Sequence, residues 1–226
     1  DRLMLQQNFL DDHPYVDAVF GKAQYEPHHS KTDGFSRYVE WSNSILTAQQ
    51  IFNRRFIEMP VINPTAMWRV ASSEKHGIYR QGAFPEDYEM WLRWMQQGAI
   101  LEKIDCNVLN WYDSDSRLTR TDNCYSKNAF YTIKTEYLIE HLKKNNPFYP
   151  EVYIWGASRL SRKRSALLIE QGIIIKRIID TNMSRIKNHP EVIHYRDIPS
   201  SNEAFILVYI GLDHAREKIH KYLTYN

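Results

Sequence analysis

The chain has 226 residues, of which 43% are hydrophobic and 25% charged, with a net charge of +2. That is enough for one large domain or two small ones with a real core, and it is unlike the composition of a disordered or fibrous chain. The charge excess is too small to mark a nucleic-acid binder, and no apolar run approaches the roughly 20 residues of a membrane span. The charged opening Asp1-Arg2 leads into an amphipathic pattern and not into a signal peptide. Two cysteines without CxxC spacing, Cys106 and Cys124, argue for a reducing compartment and no disulfide framework.

In chain order, residues 3–10 suit a helix that Asp11-Asp12-His13-Pro14 ends, and residues 16–21 alternate like a strand that stops at Gly21. Residues 42–56 predict one helix with apolar Ile45, Leu46, Ile51 and Phe52, and residues 60–70 a loop or short strand. Residues 85–97 predict a helix, with Pro85 at its start, acids in its first turn and Gly98 at its end. Tyr88, Trp91, Leu92 and Met95 would fasten it to the core, leaving Glu89, Arg93 and Gln96 nearer solvent. A strand over 101–111 and a long helix over 128–144 follow. Lys143-Lys144-Asn145-Asn146-Pro147 then ends the helical pattern, which places a domain boundary between residues 1–146 and 147–226. The charge shifts there too: 17 Lys and Arg stand against 19 Asp and Glu in residues 1–145, and 12 against 8 in residues 146–226.

Beyond the boundary, short apolar strands at 152–155, 173–179, 192–194 and 204–211 alternate with helices at 160–171 and 213–223. That pattern predicts a small parallel sheet with covered faces. The whole reads as an α/β chain in two parts.

Glu86 and Asp87 stand at the start of the 85–97 helix, where the dipole keeps carboxylates ionised. Taken alone they are also ordinary first-turn capping acids. Their context decides between these readings. Asn63-Pro64-Thr65-Ala66-Met67-Trp68-Arg69, Gly77-Ile78-Tyr79, Glu86-Asp87-Tyr88-Glu89-Met90-Trp91-Leu92-Arg93 and Leu109-Asn110-Trp111-Tyr112, in this order, resemble the second half of inverting, GT-A-fold glycosyltransferases of family two. The resemblance covers roughly residues 1–125, and Trp-Tyr-Asp stands where the family often has Tyr-Arg.

The resemblance implies a partial GT-A glycosyltransferase half. Asp87 is then the general base that takes the acceptor hydroxyl's proton, with Glu86 in support. Trp68, Arg69 and Arg93 fall at acceptor-side positions, and Arg117 and Arg120 could meet diphosphate or acceptor charge. The partners implied are a nucleotide-sugar donor and a glycan or lipid-linked acceptor, with no nucleic acid and no membrane span; a homo-oligomer stays open. The setting implied is cytoplasmic, at most the inner face of a membrane, in bacterial surface-polysaccharide synthesis. The family's nucleotide-binding half and its Asp-x-Asp, which holds Mn2+ or Mg2+ against the leaving diphosphate, precede the matching region. This chain alone is therefore expected to be inactive.

Ile154-Trp155-Gly156-Ala157-Ser158-Arg159 follows a strand and opens a helix, and Asp180 ends the next strand 24 residues after Gly156. This resembles a small Rossmann-like parallel-sheet domain, in which Gly156, Ser158, Arg159 and Asp180 would meet a nucleotide. Ser158 and Ser161 replace the glycines that allow close backbone approach, so a Rossmann-like unit without bound dinucleotide is the competing expectation. The alternative for the whole chain is a non-catalytic nucleotide- or partner-binding module. His13, His28 and His29 match no metal-ligand spacing, and no metal site is expected from them.

Overall fold

The computed structural model describes residues 1–26, 33–114 and 118–225. It divides into two compact units, Asp1–Tyr137 and Leu138–Asn226. The division falls inside the long helix α7 (Lys127–Asn145) and not at the Asn146-Pro147 step. The prolines stop the helix, yet its last turns, with buried Leu138, Ile139 and Leu142, already belong to the second unit.

The first unit opens with α1 (Arg2–Asp12) and β1 (Ala18–Glu26). It continues through α2 (Asp33–Asn43), α3 (Ala48–Arg54), a 3-10 turn at Asn63–Thr65, β2 (Met67–Trp68) and α4 (Val70–His76). Then come α5 (Glu86–Gln96), β3 (Leu101–Tyr112), α6 (Leu118–Thr121) and a 3-10 turn at Asn123–Tyr125. The sheet order is β2-β1-β3, with β1 antiparallel to β2 and parallel to β3.

Two expectations fail here for local reasons. The strand does not stop at Gly21 but runs on to Glu26. A Cβ at Gly21 would lie 2.4 Å from Val108 Cγ2, so the glycine admits the neighbouring strand and does not end its own. The single helix over 42–56 is two helices. Thr47 and Gln50 form a capping box that starts α3 afresh, the Thr47 side chain accepting from Gln50 N–H while Gln50 Oε1 accepts from Thr47 N–H at 3.2 Å. The buried Lys103 ammonium joins the end of α2 to β3, donating to Ser42 O at 2.6 Å and Pro60 O at 3.1 Å. Burial, then the charge of Lys22, lowers its pKa to about 7.

The main core forms around α5. Tyr88, Met90, Trp91, Leu92, Trp94 and Met95 pack with Ala18 and Phe20 of β1 and Leu101 of β3. Every α5 residue from Tyr88 to Met95 is buried. Glu89 and Arg93, expected near solvent, are 2% and 3% exposed. They lie four residues apart, on one face, as a hydrogen-bonded ion pair, and that pairing is what lets both charges be buried.

The second unit holds β4 (Glu151–Trp155), α8 (Arg159–Glu170), β5 (Ile174–Asp180), α9 (Met183–Asn188), β6 (Val192–His194), β7 (Ile206–Val208) and α10 (Asp213–Tyr225). The four strands are parallel in the order β6-β5-β4-β7, so the order reverses beside β4. β7 is shorter than the apolar run 204–211, because past Val208 the carbonyl of Tyr209 turns to accept from Ser161 Oγ at 2.8 Å.

Among the described residues no helix is long and apolar enough to cross a membrane. Cys106 and Cys124 are both free thiols.

Candidate functional site

Pro85, with φ of −64°, caps α5 and places Glu86, Asp87 and Glu89 in its first turn. The three acids have different surroundings. Glu89 accepts from Arg93 Nε at 2.9 Å, Arg93 Nη2 at 3.1 Å and the Tyr137 hydroxyl at 2.6 Å, so its charge is fully engaged. Glu86 accepts from the Tyr125 hydroxyl at 2.6 Å. Burial, and then this bond, raises the Tyr125 pKa, which keeps the phenol a proton donor to Glu86. Asp87 is half-buried, and its Oδ1 accepts from Tyr88 N–H at 2.7 Å. Burial is the main cause that raises its pKa to about 6. The Tyr88 N–H opposes the shift and the charge of Glu86 adds to it.

Four residues after Asp87, on the same helix face, Trp91 donates its Nε1–H to Asn63 Oδ1 at 3.0 Å. The same amide oxygen accepts from the Tyr79 hydroxyl at 3.3 Å. Burial raises the Tyr79 pKa, Asn63 opposes that, and Asp87 and Glu86 add to it. The phenol therefore lies within electrostatic reach of both acids. Trp68 stands edge-on to Tyr79, with ring centroids 6.4 Å apart, and edge-on to Trp91 at 5.8 Å. The structure thus gathers Glu86, Asp87 and Trp68 of the expected site with three residues given no role from sequence: Asn63, Tyr79 and Tyr125. Asn63 and Tyr79 stood inside the quoted motifs. Tyr125 carried no signal, because its approach to Glu86 is purely tertiary.

Two expected substrate contacts are structural. Arg93 hydrogen-bonds the carbonyls of His76, Gly77 at 3.1 Å and Ile78 at 2.7 Å besides Glu89, so it holds the turn that carries Tyr79 and meets no solvent. Arg69 hydrogen-bonds the carbonyls of Leu10, Val16 at 2.9 Å and His13 at 3.2 Å, which ties the end of α1 to the start of β1. Arg117 lies outside the described residues, as does the side chain of Arg120. His28 and His29 are outside them too.

In the second unit the groups expected to meet a nucleotide mostly meet each other. Asp180 Oδ2 accepts from Ala157 N–H at 2.8 Å and from Arg185 Nη1 at 2.9 Å, and its Oδ1 accepts from Thr181 and Asn182 N–H at 2.8 and 2.9 Å. Burial would raise the Asp180 pKa, but the backbone N–H groups and Arg185 outweigh it and hold it below the usual range. Ser158 caps α8 by accepting from Ser161 N–H at 3.1 Å. Gly156 has φ of +131°, and a Cβ there would come within 3.2 Å of the Tyr209 carbonyl. Arg159 is exposed at the start of α8. The turn is a closed network, unlike an open pyrophosphate cradle.

Among the described residues no three His, Cys, Asp or Glu side chains group as metal ligands. The Mn2+ or Mg2+ implied for a complete enzyme therefore has no ligand set within them. No protein-family model matches this chain, and a search of curated proteins finds no match to it.

Proposed function

We propose that this chain supplies the acceptor side of an inverting glycosyltransferase, with Asp87 as the general base. The proposal rests on the resemblance of the four ordered motifs, and the observation that carries it is the state of Asp87. A carboxyl at about pKa 6 is still mostly ionised at neutral pH, yet binds a proton more firmly than an ordinary carboxylate. In the reaction proposed, Asp87 takes the proton of an acceptor hydroxyl as that oxygen forms a bond to the donor's anomeric carbon. The bond from that carbon to the diphosphate oxygen breaks with its electron pair, and the anomeric centre inverts. Glu86, fixed by Tyr125, adds to the rise at Asp87 and so strengthens it as a base. The nucleotide-sugar and the divalent ion would be held by a donor-binding half joined to this chain. A cytoplasmic role in bacterial surface-polysaccharide synthesis follows from the same resemblance.

The test is Asp87→Asn in the complete enzyme, assayed with a nucleotide-sugar panel and Mn2+ or Mg2+. Loss of a general base lowers turnover by about 10²–10⁴-fold. Because protonated Asp87 cannot accept a proton, wild-type kcat/KM should fall as pH drops through about 6. Transfer that survives the substitution unchanged would remove Asp87 from the chemistry.

A further inference from the structure

We propose that Tyr79 is an aromatic platform on which a sugar ring of the acceptor stacks, presenting its hydroxyl to Asp87. This rests on the reading of Asp87 as the base, and it names the acceptor's reacting end as a hydroxylated ring and not a bare lipid alcohol or a phosphate.

Three features of the site support the assignment. Tyr79 is 41% exposed, with its hydroxyl hydrogen-bonded to Asn63, so the phenol end is held while the ring stays open to a ligand. Its ring is anchored at the phenol end through Asn63 to Trp91, on the helix face that also carries Asp87. The turn beneath it is rigid: Gly77 O accepts from Arg93 Nη1 at 3.1 Å and from Trp94 Nε1 at 2.8 Å, and Ile78 O accepts from Arg93 Nη2 at 2.7 Å. A fully buried ion pair therefore holds up an exposed ring that Asn63 joins to Trp91, one helical turn along α5 from Asp87. That is the arrangement in which a supporting shell fixes a binding group.

The chemistry of the surroundings selects the ligand. The electron-rich face of a phenol ring attracts the polarised C–H groups on one face of a pyranose, while the ring's equatorial hydroxyls seek acceptors at the edge. Glu86 and Asp87 are such acceptors, and their negative charge disfavours a phosphate close by. Arg69 and Arg93 are both committed to backbone carbonyls, and the exposed Arg80 beside Tyr79 is paired with Glu89 at 3.5 Å. A neutral sugar satisfies both the ring face and the acids.

Two measurements test this separately from the reaction. In the first, this chain is titrated with methyl glycosides of glucose, galactose and N-acetylglucosamine, up to on the order of 10 mM, and followed by saturation-transfer NMR. Transfer to the ring C–H protons of at least one glycoside is expected. It should be lost in Tyr79→Ala and Tyr79→Leu and kept in Tyr79→Phe, with circular dichroism confirming that each variant is folded. No transfer from any glycoside, or equal transfer in all variants, overturns the proposal.

The second uses the complete enzyme. Tyr79→Ala should raise the acceptor KM about 10-fold with the donor KM unchanged, and Tyr79→Phe should restore most of the affinity. An unchanged acceptor KM in Tyr79→Ala, while Asp87→Asn abolishes transfer, overturns the platform and leaves the base standing. Full transfer by Asp87→Asn overturns the base itself, and the glycoside titration then judges the platform alone.

Discussion

Asp87 in the first unit and Asp180 in the second make an instructive pair. Asp180 is buried and Asp87 half-buried, each beside a helix start, and burial pushes both upward. At Asp180 three backbone N–H groups and a guanidinium answer that push, and the carboxyl ends below its usual range. At Asp87 only the N–H groups of Tyr88 and of Asp87 itself answer it, with a like charge alongside and no cation, and the carboxyl ends near 6. A saturated carboxylate shapes a turn and has little capacity left for a ligand. An under-satisfied one is poised to take a proton, which is why perturbed groups of this kind gather at functional sites. The contrast separates a saturated acid from an under-satisfied one more sharply than either motif does.

The largest expected effect comes from making Glu89 resemble Asp87. Arg93→Met removes the buried guanidinium and leaves a carboxylate, 2% exposed, with only the Tyr137 hydroxyl and the exposed Arg80 to answer it. Urea unfolding should show a loss of about 3–5 kcal/mol. A loss below about 1 kcal/mol would mean that the pair does not hold the 77–79 turn, and the support under Tyr79 would be gone with it.

The next effect lies at the other acid. Asp180→Asn keeps the shape but removes the charge from the bonds to Ala157, Thr181, Asn182 and Arg185. It should cost about 1–3 kcal/mol at pH 7. Because the folded state lowers the pKa of Asp180, its contribution is present above the ordinary carboxyl pKa. It is lost as pH falls through the folded value. The difference between wild type and variant should therefore shrink below about pH 4.

The smallest effect has the opposite sign. The folded state raises Asp87 from 3.8 to about 6, so its contribution is present below the lower value and lost as pH rises through the upper one. Relative to wild type, Asp87→Asn should gain about 1–3 kcal/mol between pH 4 and pH 8, with the half-exposed setting drawing the value toward the lower end. Parallel pH dependence at the two aspartates would erase the distinction on which the functional reading leans.

Much of this was legible along the chain. The α5 signal, Pro85 followed by acids and closed by Gly98, located the helix to within a residue or two, because those determinants are all local. The alternation after Pro150 gave the parallel α/β unit, because short apolar strands separated by amphipathic helices admit few other layers. The same logic misread Gly21 and the 42–56 run. A glycine's role there depends on Val108 of β3, and Thr47 restarts the helix through a side-chain bond that periodicity does not register.

By itself the sequence determined the α/β class, the helix bearing the acid pair and the glycine turn ahead of α8, since each is written in neighbouring residues. Only the tertiary structure decided which charges are engaged. Whether Arg93 faces a substrate or three carbonyls, and whether Asp180 faces a ribose or the N–H of Ala157, depends on groups brought together from distant parts of the chain. A carboxylate's proton affinity is set by its desolvation and by the donors and charges around it, and both exist only once the chain has packed. For that reason Asp87 could be located in the sequence, but its distinction from Asp180 appeared only in the fold.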